Sequence, residues 1–175
     1  MIKDFENMPL DELCEYIEQN HHKYVQVEGP KIKKHIEDLM GKVNSKESDI
    51  NKIDEIFGVI LAQMGMHMKR EELLLFPVII KMIKTQKPVK TLFGSIKNPI
   101  DKMQEEHEAE EYRIKKIESI LETNKSKIKE DTLYQTTAEM IQVFINDFRQ
   151  HTYLEDKILF PQSILLESKL NNTIK

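Results

Sequence analysis

A histidine and a glutamate four positions apart occur twice in this sequence, inside one repeated pattern. The first copy is His67-Met-Lys-Arg-Glu71-Glu-Leu-Leu-Leu-Phe76-Pro77, and the second, 84 positions on, is His151-Thr-Tyr-Leu-Glu155-Asp-Lys-Ile-Leu-Phe160-Pro161. Four residues is little more than one helical turn, so each pair sets an imidazole and a carboxylate on one helix face, where both can grip a single cation. Ile53, Ile56, Ile60, Met64, His67, Glu71, Leu74 and Val78 follow steps of three and four, and Met140, Phe144, Phe148, His151, Glu155 and Ile158 do much the same. Both pairs therefore point toward a helical core. A bare carboxylate buried there costs several kcal/mol or shifts its pKa unless a cation pairs with it. The pattern implies metal.

Two further histidines belong with the pairs. His22 lies 45 positions before His67, His107 lies 44 before His151, and the two are 85 apart. The chain thus reads as two similar halves, each offering one lone histidine and one histidine–glutamate pair. The candidate ligands are His22, His67, Glu71, His107, His151 and Glu155, enough for two ions. Two bridging carboxylates with two imidazoles per ion leave open positions, which suits iron or manganese better than a closed zinc site. Iron is the expectation, as an oxo- or carboxylate-bridged pair of ions.

Other residues compete for these roles. His21 and His22 are adjacent and point about 100° apart, so only one faces the site readily, and periodicity slightly favours His21. His35 has no partner at helical spacing and reads as a solvated side chain. Glu111, four after His107, is either an extra ligand or a surface or supporting carboxylate; Glu72 and Asp156 orient ligands or face solvent. Met64, Met66 and Met68 alternate around a helix and read as packing. Ferritin-like Glu-x-x-His pairs precede none of His67, His107 or His151; the single instance is Glu18 to His21.

The elements that must position these groups are helices. Pro9 with Asp11 and Glu12 opens the first, which is expected to bend near Pro30 and end at Gly41 and Asn44-Ser45. A second starts near Ser48-Asp49, carries the first motif, bends at Pro77 and closes at Gln86-Lys-Pro88. Residues 88–98 read as a connection, and Asn98-Pro99 as the cap and first position of a third helix. Asn124 to Glu130 reads as a lysine-rich turn, and the fourth helix runs from about Asp131 beyond Pro161, fraying from Asn171. Strand signals are absent. Four helices with modest loops specify an all-α, up-down-up-down four-helix bundle, with residues 1–175 as one domain.

Composition narrows the partners. Mixed charge, a net of −4 and no basic block argue against nucleic acid and anionic membrane. No run of apolar residues suits a signal peptide or a membrane span, and the single Cys14 has no internal disulfide partner, which places the chain in the cytoplasm. Cys14 lies beside Leu13 and Ile17 on a helical pattern and reads as a buried, inert thiol. One cysteine excludes an iron–sulfur site within the chain.

Ile17-x3-His21-His22-x-Tyr24-x5-Pro30, His67-x3-Glu71-Glu72-x3-Phe76-Pro77, Glu106-His107 and His151-x3-Glu155-x4-Phe160-Pro161 together resemble the hemerythrin-like HHE cation-binding domains. Within that family they resemble the repair-of-iron-centres di-iron proteins of bacteria. The resemblance makes His22 the ligand rather than His21. It implies a non-haem di-iron centre with Glu71 and Glu155 as bridges and four terminal histidines. It also implies a stress-response role, restoring iron–sulfur clusters damaged by nitric oxide or peroxide, with cluster proteins as clients and iron donation as the means. Oxygen-carrying hemerythrins differ, with a histidine where this chain has Glu111. The short cysteine-bearing N-terminal domain common in the repair group is not part of the match. The alternatives are a sensor or carrier of oxygen or nitric oxide, and a nitric oxide reductase or peroxidase.

Overall fold

The computed structural model describes residues 4–42 and 49–172, and the regular secondary structure among them is all helix, with no strand. The first long helix is α1 (Leu10–Ile17), a π-helical turn (Glu18–His22) and α2 (Lys23–Lys42). The second is α3 (Asp49–Arg70), a π-turn (Glu71–Leu75) and α4 (Phe76–Thr85). The third is α5 (Lys97–Thr123), followed by the short α6 (Lys125–Glu130). The fourth is α7 (Thr132–Tyr153), a π-turn (Leu154–Leu159) and α8 (Phe160–Asn172).

Contacts at the helix ends fix the up-down-up-down order. Lys42 near the end of α2 reaches Asp131 before α7 at 3.7 Å. Asn124 after α5 donates to the Asp49 carboxylate at the start of α3, at 2.9 Å. Glu167 in α8 accepts from the Ile96 backbone N–H at 2.9 Å, just before α5. Each contact joins one helix's end to another's beginning, so those helices run antiparallel.

Several sequence expectations are met and several are corrected. Asp131 caps α7, accepting from the backbone N–H groups of Leu133 and Tyr134. Pro30 sits inside an unbroken α2, next to Gly29, where an added Cβ would lie 2.6 Å from Leu61 of α3. Asn98 does not cap α5: the helix begins at Lys97, and the Asn98 amide donates to the Phe93 carbonyl. Glu167, from a distant helix, meets that terminus instead, something local sequence cannot show. Residues 125–130 form a turn and a half of helix rather than a loop. The expected stops at Asn44-Ser45, the cap at Ser48 and fraying at 173–175 lie outside the described residues; Asn171 and Asn172 still belong to α8.

Two apolar cores fill the bundle. One end gathers Ile32, Ile36, Ile53, Phe57, Ile60, Ile114, Phe144 and their neighbours. The other gathers Leu13, Ile17, Leu75, Ile79, Ile100, Met103, Leu154 and Leu159 with theirs. On every helix the change from one core to the other falls at the histidines and glutamates singled out above, so these form a polar layer between two dry ones. Cys14 is buried in the second core, and burial raises its thiol pKa far above the ordinary value. No described helix is long and apolar enough to cross a membrane.

Helix α4 ends on Gln86 at φ 50°, ψ 36°, the left-handed conformation glycine usually takes. Gln86→Gly removes that strain and is expected to stabilise the fold by roughly 0.5–1 kcal/mol in urea unfolding. A destabilised variant would show that the Gln86 side chain, which donates to the Ile83 carbonyl at 2.7 Å, outweighs it.

Candidate metal centre

The three π-turns decide which side chains enter the polar layer. In each, the backbone N–H after the turn bonds five residues back: Lys23 to Glu18, Phe76 to Glu71, Phe160 to Glu155. The extra residue per turn rotates everything that follows by about 100°. Pro77 and Pro161 help explain two of them. Proline has no N–H and its ring crowds the carbonyl four residues earlier, a conflict that a widened turn relieves. The turn at 18–22 has no proline and settles the choice of histidine. The inward run Cys14, Ile17 would continue to His21 in a plain α-helix, but the added residue brings His22 to the centre.

All six candidate side chains meet. His22 Nε2 lies 3.4 Å and His67 Nε2 3.3 Å from Glu71 Oε2. His107 Nε2 lies 3.2 Å from Glu155 Oε2, and His151 Nε2 2.8 Å from Glu155 Oε1. Donor atoms of His22, Glu71, His151 and Glu155 fall within 4.8 Å of one another, as do those of His67, His107 and Glu155. These are two adjoining groups of metal-ligand type that share Glu155.

The electrostatics show what the groups need. Glu71 and Glu155 are fully buried, yet both Glu71 oxygens and Oε2 of Glu155 lack a hydrogen-bond partner among the described residues. The His67 and His107 Nε2 atoms face each other at 3.1 Å, where two lone pairs repel unless a proton or a cation lies between them. In the protein without cations, protons take that part. Burial opposes charge on His67, but Glu71 raises its pKa to about 9; at His107 burial is outweighed by Asp156 and Glu155, giving about 10. Glu155 is pulled well below the usual carboxylate range, because His151 and His107 overcome its burial. Burial lowers His151. Bound cations would meet this demand, so the residues present fit metal.

Carboxylates behind the rings aim the nitrogens. The Nδ1–H of His22 donates to Glu72 at 2.8 Å, that of His67 to Glu106 at 2.9 Å, and that of His107 to Asp156 at 3.1 Å. Each bond fixes the tautomer and turns Nε2 inward, as supporting carboxylates do at metal-bound imidazoles. Phe76 stacks on His22 and Phe160 on His107, with ring centroids 5.7 and 6.2 Å apart. The whole repeated motif is thereby accounted for: its histidine and glutamate enter the layer, while the next acidic residue and the phenylalanine hold the lone histidine of the same half.

His21 joins neither group. It is buried, stacked on His151 with centroids 5.6 Å apart, and its Nδ1–H donates to Asp147 at 2.8 Å. His35 is half-buried and also lies outside both groups. Glu111 faces outward and is held by Arg149 at 2.9 Å. Met64 and Met68 pack in the core, but Met66 is exposed, so the packing expected of all three holds for two. Sequence spacing missed the roles of Glu106 and Asp147. Glu106 stood beside His107 in a quoted motif, but its partner is on another helix; Asp147, four before His151, bonds to His21.

The family model of the hemerythrin HHE cation binding domain matches residues 11–163. The chain belongs to that family. This hemerythrin-like chain is also 22% identical over 162 residues to proteins named iron-sulfur cluster repair protein YtfE from Yersinia pseudotuberculosis serotype IB (strain PB1/+) and Yersinia pestis (strain Pestoides F). In each case the likeness spans 93% of this chain and 69% of the relative. The family binds metal cations, and the buried histidine–glutamate layer is able to hold them.

A cation entering the layer competes with the protons on His67 and His107. Affinity for a divalent ion should therefore climb with pH through neutrality and level off above about 9 to 10. Loading at pH 7 should release protons, read by calorimetry in buffers of different ionisation enthalpy; loading with none released would mean that these imidazoles do not receive the ion.

Proposed function

We propose that this hemerythrin-like protein holds two iron ions in the polar layer and serves in the repair of iron–sulfur clusters by giving up iron. His22, His67, His107 and His151 are the terminal ligands in this reading, and Glu71 and Glu155 the bridges. The observation that carries it is the pair of wholly buried carboxylates, three of whose four oxygens find no hydrogen-bond partner among the described residues although four imidazoles surround them. Two adjoining groups sharing Glu155 favour two cations over one. Mixed imidazole and carboxylate donors suit a redox-capable ion such as iron. The names of the Yersinia relatives support the repair role, and the clients would be iron–sulfur proteins of the cytoplasm.

Bound iron would supply a redox-active ion pair with positions open to a small ligand such as oxygen, nitric oxide or peroxide. The chain's own residues do the rest. Glu72, Glu106 and Asp156 aim three imidazoles and strengthen them as bases. The two apolar cores keep bulk water from the layer. Protonation of His67 and His107, whose charged forms the neighbouring carboxylates favour, supplies the chemistry for letting an ion go: a proton takes the ligand position as the ion departs.

One observation favours a second reading, a binder of oxygen or nitric oxide. A cavity of about 10 Å³ touches His67, His107 and His151, room for one water-sized molecule. Stopped-flow spectra showing a stable, reversible oxygen adduct would support it, and rapid irreversible oxidation would remove it.

Anaerobic protein loaded with ferrous iron is expected to contain about two irons per chain by metal analysis. Mixed with a cluster-depleted apo-enzyme, it should restore more activity than the same amount of free ferrous iron. Recovery no better than free iron would sink the repair reading. Glu106→Ala should weaken iron binding about 10- to 100-fold by freeing the His67 ring; unchanged affinity would show that its hydrogen bond is not needed.

A further inference from the structure

The second long helix carries an outward stripe that the centre does not use. Val59, Ala62, Met66, Lys69, Leu73 and Pro77 are all exposed and follow one another at steps of three and four, and Lys81 continues the line on α4. Consecutive steps of four from Lys69 to Lys81 straddle the π-turn, whose extra residue keeps them on one face. Leu73 is 72% exposed, and Val59, Met66 and Leu74 are exposed as well. Apolar side chains gathered in water along one ridge mark an interaction surface.

The chain then turns through residues 86–96 with the same mixture of side chains. Leu92 stands fully exposed. Its loop is ordered around it: Val89 and Phe93 pack on the second core, the Asn98 amide donates to the Phe93 carbonyl at 2.8 Å, and Thr91 Oγ1 donates to the Gly94 carbonyl at 2.6 Å. Leu92 is thus held out in water by anchored neighbours.

Charge on this surface has one sign. Residues 56–100 hold seven lysines and arginines and two acids, Glu71 and Glu72. The fold withdraws both acids, since Glu71 is fully buried and Glu72 bonds the buried His22 ring. Some of the cations are also taken: Arg70 pairs with Glu106, Lys97 pairs with Asp101, and Lys84 borders a groove lined by Asp11, Glu12 and Glu15. Lys69, Lys81, Lys87 and Lys90 remain, exposed and without an ion pair among the described residues. Averaged over the chain, charge argues against an anionic membrane. Folding reverses that locally, setting unopposed lysines beside exposed leucines.

We propose that this ridge, with the Leu92 loop at its end, is a docking surface for an anionic lipid bilayer, which the protein touches without crossing. The residue types favour lipid over a protein partner. Protein interfaces are rich in arginine and aromatic anchors and poor in lysine, whereas here every unopposed cation is a lysine and every exposed apolar side chain is aliphatic. Lysine acts as a point charge rather than a fork, which suits a fluid sheet of headgroups that attracts by charge and presents no shaped pocket. One helix at the corner of a bundle can lie along a flat surface, its apolar side chains entering the headgroup boundary while lysine stems reach back to the phosphates. The contact is independent of what the buried centre binds.

The test is co-sedimentation with vesicles of phosphatidylcholine containing about a third phosphatidylserine, against vesicles of phosphatidylcholine alone, at low and raised salt. The variants are Leu73→Ser, Leu92→Ser, Lys87→Gln combined with Lys90→Gln, and, at the opposite end of the bundle, Lys125→Gln. Circular dichroism confirms that each is folded. The wild type should bind the mixed vesicles, release them as salt rises, and bind phosphatidylcholine alone roughly tenfold more weakly or less. The double lysine variant should lose about tenfold in affinity and each leucine variant several-fold, with Lys125→Gln unchanged. Absence of binding to the mixed vesicles overturns the proposal and leaves the ridge to a partner protein. Equal binding to both kinds of vesicle overturns it, as does binding that the leucine and lysine variants fail to weaken. Sedimentation of the protein alone covers the remaining occupant: a dimer that Leu73→Ser dissociates assigns the ridge to a second copy and likewise overturns the proposal.

Discussion

Two carboxylates with no exposure to water, set among four imidazoles in the middle of a helical bundle, are the constraint the rest of this molecule answers to. Elsewhere the interior is ordinary: apolar side chains in two cores, stabilised by removal from water. Between them lies a layer that is costly to bury unless its charges are met. Without cations, protons on the imidazoles meet part of that demand, and three carboxylate oxygens still find no partner among the described residues. The cores on either side hold the layer closed, so the demand persists in the folded state rather than being relieved by water.

The backbone carries a matching irregularity. Three of the four long helices widen by one residue at the layer, and only α5 passes it without a π-turn. At Glu71 and Glu155 the widened turn lies just before Phe-Pro, and the phenylalanine of each motif lies against the lone histidine of its own half. The repeated sequence is thus a compact instruction: two groups for the layer, one acid and one ring to hold a neighbouring imidazole, and a proline that fits the widened turn. Nothing in it is idle.

The duplication is imperfect where the chemistry differs. Glu106 supports His67, while its counterpart position is His21, which stacks on His151 and draws Asp147 to itself. His151 is left with Nδ1 buried and without a hydrogen-bond partner among the described residues, and with its charged form disfavoured by burial. The two sides of the centre consequently differ in basicity and in access. His67 and His107 are slightly open to solvent, whereas His22 and His151 are almost fully sealed.

The sequence by itself determined the helical class, the order of the bundle and the two histidine–glutamate pairs, because spacing along a single helix dictates which side chains share a face. It also showed the twofold relation, which located His107. What it could not determine were relations between helices: Glu106 reaching His67, Glu167 meeting the start of α5, Glu111 turned away toward Arg149, and Glu110 left buried beside the centre. Choosing His22 over His21 from spacing failed for a related reason, since one extra residue in a π-turn rotates the face that a regular 3.6-residue repeat predicts. Rotation and register across helices are set only when the cores pack, and tertiary structure alone decides them.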